Sequence, residues 1–280
     1  MRTELIAVET SGHHLDGLWY EPNAPAEQAV QVLHGNCMNF YTGPSRFLPP
    51  HLAAAGLSCL TYNRRGHDIL GTLNSRQMVG GALQLAHEAV EDNVAARAWL
   101  GARGFADPLV VGHSNGGTLS VRHVADHPGT PALVLLSAHL GGHRIVHEMS
   151  ANGLFGRDRL DELLGQAREM IGAGRGDDLM ALPGWWYVIS ARSLVDYATH
   201  TPDLLDLAPR IRCPVLFVRG DGERPHVYPA EAFAERCSSR CEVVIVPNCD
   251  HFYTDREGYV ADLVVDWLRD KVPSHPEPVR

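Results

Sequence analysis

Six short runs of this chain are apolar almost throughout: "AVQVLHG" (29–35), "LSCLTYN" (57–63), "PLVVGHS" (108–114), "PALVLLSA" (131–138), "PVLFVRG" (214–220) and "EVVIVPN" (242–248). A strand that is apolar at consecutive positions, rather than at alternate ones, has to bury both faces. Parallel pairing meets that need, because its crossover connections supply helices to both sides of the sheet. The intervening sequence fits. "LQLAHEAVEDNVAARAWLGARG" places Leu85, Ala89, Val90, Val94, Ala98 and Leu100 near helical spacing, with Gly101 or Gly104 as a stop. "REGYVADLVVDWLRDK" puts Val260, Leu263, Val264, Trp267 and Leu268 on one side of a second helix. At the N-terminus "ELIAVET" and "LDGLWYEP" alternate at period two around "SGHH" and read as an antiparallel hairpin. The expected fold class is α/β, a mostly parallel eight-stranded sheet flanked by helices.

One segment breaks the alternation. From His139 to Ala208 the sequence shows no strand run, only "RLDELLGQAREMI", the loop "GAGRGDD" and "GWWYVISARSLVDYA". This reads as a helical cap, residues 139–208, inserted into a core of residues 1–138 and 209–272. The tail 273–280, "PSHPEPVR", is expected to be disordered. A chain of 280 residues accommodates one large domain with such an insertion.

Composition removes several function classes. The net charge is -9 and no block of basic residues occurs, which disfavours nucleic acid and anionic membrane surfaces as partners. No apolar run is long enough to span a bilayer. "MRTELIAVET" lacks the apolar core and small-residue cleavage site of a signal peptide, so a cytoplasmic location and reduced thiols at the six cysteines are expected. His139, His143 and His147 recur every four residues, but Gly141 and Gly142 interrupt the run and argue against a helix holding a metal. No cofactor and no metal are expected; the expected partner is a small-molecule substrate, and oligomeric state is unassigned.

The chemistry concentrates around "GHSNG", Gly112 to Gly116. An apolar strand precedes it and a helical run follows. A sharp strand-to-helix turn there would expose Ser114 as a nucleophile, with the helix N-terminus beneath it favouring negative charge. A serine hydroxyl needs a base. His251, in "VPNCDHFYTD", follows the last apolar run and precedes the last helix, which puts it at the same edge of the sheet. A carboxylate to orient that imidazole should follow the seventh strand, where "RGDGERPHVYP" offers Asp221 and Glu223; Glu223 is favoured by its distance from Gly220. Backbone N–H groups for an oxyanion would come from Asn115 and from Asn36, with Cys37 as the alternative, in "VLHGNCMNFYTGP". His139, Trp185 and Trp186 are candidate pocket residues, the tryptophans either admitting an apolar group or packing the cap onto the core.

These motifs resemble the α/β-hydrolase family. "HGN" is similar to that family's HG oxyanion motif. "YNRRGHD" (62–68) is similar to its D-x-R-G-x-G loop, with Asn63 in place of the aspartate and Asp68 in place of the second glycine. The resemblance implies Ser114 as the elbow serine, His251 as the histidine and Glu223 or Asp221 as the acid, with residues 139–208 as the variable cap. "GNCMNFYTGP" is also similar to a subgroup that includes fungal siderophore esterases. The expectation is a serine hydrolase cleaving a carboxylic ester or thioester of a small, largely apolar substrate through an acyl-enzyme. An acyltransferase, a cyclase or a carbon–carbon hydrolase would use the same triad, and a non-enzymatic binding protein is the rival of another class.

Overall fold

All six apolar runs pair edge to edge. With the N-terminal hairpin they give eight strands: β1 (Arg2–Glu9), β2 (His14–Glu21), β3 (Ala29–Leu33), β4 (Ser58–Tyr62), β5 (Leu109–His113), β6 (Leu133–Leu136), β7 (Val215–Gly220) and β8 (Cys241–Val246). The computed structural model describes residues 1–10, 12–72 and 76–271, so the tail expected at 273–280 lies outside the described residues. The sheet order is β1-β2-β4-β3-β5-β6-β7-β8. β2 runs antiparallel to both β1 and β4, and the remaining neighbours are parallel.

Consecutive residues of the inner strands go to opposite cores. Leu109, Val111, Val134, Leu136, Leu216 and Val218 pack under α1 (Pro44–Ala54) and α9 (Glu257–Lys271). Val110, Leu133, Leu135, Val215 and Phe217 pack under α3 (Asn115–Asp126) and α8 (Ala230–Arg236). Two covered faces explain why the runs lack polar alternation. β8 is the exception: as an edge strand it is mostly half-buried, with Ile245 38% exposed.

Helix α2 (Ala86–Gly101) forms where expected but turns another face inward. Ala89, Asp92, Asn93, Ala96 and Leu100 are buried, whereas Val94 is 42% exposed. Two polar residues win burial because each has partners there. Asp92 accepts from Arg65 N and Nε at 2.7 and 2.9 Å, and Asn93 accepts from the Tyr62 hydroxyl at 2.7 Å.

Between β6 and β7 the chain builds α4 (Gly142–Ala151), α5 (Leu160–Gly172), α6 (Ala191–His200) and α7 (Leu204–Leu207). The expectation of a purely helical insertion needs correction. Leu179–Leu182 and Tyr187–Ser190 pair as an antiparallel hairpin. Its first strand alternates exposed and buried residues, and its tip carries Gly184 at φ 108°, packed so closely that a Cβ would lie 2.3 Å from Leu154 O. The insertion has its own core, including Phe155, Leu163, Trp186, Leu194 and Tyr197, to which Val227 of the main body contributes.

Because β5, β7 and β8 run parallel, the loops at their carboxyl ends emerge at one edge. Ser114, Glu223 and His251 are carried there, beside the loop that follows β3.

Candidate active site

Strand β5 passes into α3 through a single residue, Ser114, at φ 55° and ψ -122°. A non-glycine residue held there stores of order 1–3 kcal/mol of strain, which the surrounding packing maintains. The flanking glycines make the turn possible. A Cβ on Gly112 would sit 2.2 Å from Ser120 Oγ, and one on Gly116 2.3 Å from Leu33 O. Ser114 N donates to Leu136 O at 2.9 Å, so the turn is tied to β6 as well.

The Ser114 hydroxyl lies 3.1 Å from His251 Nε2. His251 Nδ1 lies 2.7 Å from Glu223 Oε1. With a carboxylate facing Nδ1, that nitrogen carries the ring proton, and Nε2 is left to accept the serine's. Glu223 is buried and its second oxygen is occupied: Oε2 accepts from Ser137 Oγ at 2.6 Å and Gly220 N at 2.9 Å. The Tyr253 hydroxyl sits 2.8 Å from Ser137 Oγ and bonds Val218 O at 3.2 Å, closing a buried network behind the acid. Arg219 Nη1 donates to Glu223 O at 2.9 Å.

Asp221, the other carboxylate offered by the sequence, does not reach His251. Its Oδ1 accepts from Cys249 N at 3.1 Å. Backbone N–H groups of Asn248 and Cys249 hold its carboxyl below the usual carboxylate range. It braces the loop that carries His251 from below. Only Gly222 separates the candidates, and in a tight turn that spacing sends their side chains in different directions.

On the other side of Ser114 lies the loop after β3. A Cβ on Gly35 would be 3.1 Å from Ser114 Cβ, so this loop abuts the serine. Among the described residues, the backbone N–H groups of Asn36 and Cys37 donate to no protein acceptor. Asn115 is the first residue of α3, where an N–H has no partner within the helix. The Asn36 side chain is anchored from the insertion, its Nδ2 donating to the Tyr197 hydroxyl at 2.8 Å, with both residues buried.

Imidazoles crowd this edge. His113 Nε2 meets His251 O at 2.9 Å, and the two rings lie 4.8 Å apart. Burial first, then the neighbouring His251, pushes the His113 pKa down to about 3, so it stays neutral and steadies the His251 backbone. His139 is buried at the end of β6, down to about 3 for the same two reasons. His143 and His147 lie on the exposed side of α4, so the three histidines do not converge. Among the described residues, no group of three or more His, Cys, Asp or Glu is arranged to hold a metal ion.

An open cleft of about 700 Å³ adjoins the site. Met38, Phe47, Trp185 and Phe252 give it apolar walls, and Arg46, Asp68 and Glu257 add charge. The two tryptophans part company here. Trp185 lines the cleft, while Trp186 is buried in the insertion, its ring 5.5 Å from Phe155 and 5.4 Å from Tyr197. The expectation of Trp186 as a pocket residue is therefore corrected: it packs the insertion's own core. Sequence reasoning missed Ser137, Tyr253 and the bond that Tyr197 makes to Asn36, because these depend on contacts 86, 116 and 161 residues away. No helix among the described residues is long and apolar enough to cross a membrane.

A family model described as the alpha/beta hydrolase family matches residues 32–263. No curated protein matches the chain. Among solved structures, Est1E from Butyrivibrio proteoclasticus, with ferulic acid bound, is similar at 18% identity and a TM-score of 0.71, covering 95% of this chain and 98% of its own. A dienelactone hydrolase from Anabaena variabilis gives 17% identity and a TM-score of 0.62, over 97% of this chain and 99% of its own. A thermostable carboxyl esterase from Bacillus coagulans gives 13% and 0.70, over 97% and 99%. At these identities the likeness is one of fold.

Proposed function

The chain belongs to the alpha/beta hydrolase family, and from that premise we propose that it is a serine hydrolase that cleaves a carboxylic ester or thioester through an acyl-enzyme. The observation that carries the proposal is the unbroken relay from Ser114 Oγ through His251 to Glu223, at 3.1 and 2.7 Å. Ser114 Oγ attacks the carbonyl carbon while its proton passes to His251 Nε2. Glu223 holds the imidazole by Nδ1 and stabilises the imidazolium. The carbonyl oxygen, now negative, is met by the N–H groups of Asn36 and Asn115, with Cys37 N–H beside them. His251 returns its proton to the leaving oxygen or sulfur as the bond to it breaks. Water then loses a proton to His251, attacks the acyl-serine, and Ser114 regains its proton as the acid leaves.

The cleft supports a substrate with an apolar body and a polar end, since Arg46, Asp68 and Glu257 stand among its apolar walls. It opens to solvent, so water can reach the acyl-enzyme. A fluorophosphonate probe should label Ser114, and Ser114→Ala should abolish turnover of p-nitrophenyl esters. Unlabelled, folded protein that still turns over these esters would overturn the covalent route.

A further inference from the structure

His139 takes no part in the relay, yet it is built into its wall. It follows Ser137, whose hydroxyl holds the Glu223 carboxylate. The intervening Ala138 packs so closely on α3 that a Cβ on Gly117 would lie 2.5 Å from its Cβ. The His139 ring meets Thr118 Oγ1 at 3.2 Å through Nδ1. Thr118 is one helical turn beyond the nucleophile, its N–H donating to Ser114 O at 3.2 Å. The imidazole thus packs on the first turn of the helix that Ser114 opens and is buried.

Its tautomer follows from its partners. Gly141 N–H points at Nδ1, 3.1 Å away. A backbone amide only donates, so Nδ1 is the acceptor and the ring proton is on Nε2. Thr118 spends its own hydroxyl proton on His139 O at 2.7 Å. Burial and the nearby His251 keep the ring neutral. Nε2–H is therefore a fixed donor. It is buried and has no acceptor among the described residues. A buried donor left unpaired is costly, and one that persists beside a reactive serine points to a partner that arrives with the substrate.

The two sides of the serine differ. His251 has to protonate the leaving atom, and its neighbours Phe252 and Thr254 line the open cleft together with residues of α1 and α9. The leaving group therefore departs into that cleft. His139 lies on the other side, against Thr118 of α3. Resting on the serine-hydrolase reading, we propose that His139 Nε2–H donates a hydrogen bond to an oxygen carried by the acyl group. The site then selects acyl groups with an ether, hydroxyl or keto oxygen near the scissile carbonyl over plain hydrocarbon ones.

The test compares p-nitrophenyl methoxyacetate with p-nitrophenyl butanoate, which differ by one oxygen in place of a methylene. The wild-type ratio of kcat/KM, methoxyacetate over butanoate, is expected to exceed the ratio of their alkaline hydrolysis rates by about tenfold, the value of one hydrogen bond. His139→Asn, whose amide oxygen still accepts from Gly141 N–H but does not extend to the Nε2 position, should lower the enzyme's ratio by about tenfold. His139→Gln, whose amide nitrogen reaches that position, should keep most of it. General damage to the fold lowers both substrates together and leaves the ratio unchanged. A wild-type ratio equal to the alkaline one, or equal loss of preference in the Asn and Gln variants, overturns the proposal. Turnover surviving Ser114→Ala would instead overturn the serine-hydrolase reading itself.

Discussion

Glu223→Gln changes one atom of the relay, and its consequence can be worked through from the contacts. Glu223 Oε2 accepts from Gly220 N–H and from Ser137, while Oε1 faces His251 Nδ1. A glutamine has one acceptor and one donor at those places. Gly220 N–H can only donate, so the amide oxygen has to take the Oε2 position. The amide NH2 then faces His251 Nδ1 and requires that nitrogen to accept. The ring proton moves to Nε2, and His251 can no longer take the proton of Ser114. The equivalent change in a serine protease costs about 10⁴ in kcat, or about 5.4 kcal/mol at 1.36 kcal/mol per tenfold. Size and burial are preserved, so the variant should fold and bind with KM little altered. Asp221→Asn is the matched control, two residues away; it removes the charge from a loop brace whose Oδ1 can still accept from Cys249 N, leaves the relay intact, and should retain activity within about tenfold. Initial rates of p-nitrophenyl ester hydrolysis, with circular dichroism to confirm folding, measure both. A Glu223→Gln enzyme within tenfold of wild type, or an Asp221→Asn enzyme as inactive as Glu223→Gln, would refute this reasoning.

The insertion is coupled to the oxyanion loop by the hydrogen bond from Asn36 to Tyr197. Tyr197→Phe leaves a buried Asn36 Nδ2 without an acceptor, at about 1–3 kcal/mol. Calorimetry should show a lower Tm, and kcat should fall several-fold with KM nearly constant; an unchanged kcat would mean that the bond does not position the loop. Acid should destabilise the protein early. Burial pushes His113, His123 and His139 down to about 3, and lowers His34 as well. These rings are neutral when folded but take up protons on unfolding once the pH drops below about 6.5. The stability they confer is full above that pH and declines below it, by up to about 1.4 kcal/mol per unit for each ring, until His113, His123 and His139 protonate in the folded state near pH 3. Urea midpoints at pH 7.5, 6 and 5 measure this, and a flat series would contradict it.

The turn around Ser114 was legible because its determinants are local. Gly112, Ser114 and Gly116 lie within five residues, and strand and helix on either side declare themselves by composition. The strand sequence was legible for a similar reason: a strand buried on both faces is apolar at every position, whatever its neighbours are. His251 could be placed by chain order alone, since it lies in the loop between the last strand and the last helix.

Other features depended on distant partners. Helix α2 was expected to bury Val94, but Arg65, Tyr62 and Gln31 gave Asp92 and Asn93 something to bond, and those contacts turned the helix. Trp185 and Trp186 are adjacent and chemically identical, so only the packing of Phe155 and Tyr197 decided which entered the core. The hairpin at Leu179–Ser190 left a faint local trace, a Pro-Gly turn between the short apolar runs LMAL and YVIS, that aromatic composition masked. The choice between Asp221 and Glu223 was set by Ser137 and Cys249, from two other segments, and by the adjoining Gly220, acting on a loop with no repeating geometry. Sequence alone thus determined the strand-turn-helix and the order of the reactive groups, because backbone periodicity and steric permission act over a few residues. Tertiary structure decided which side chain faces which, because in irregular loops side-chain direction is fixed by partners that sequence does not bring near.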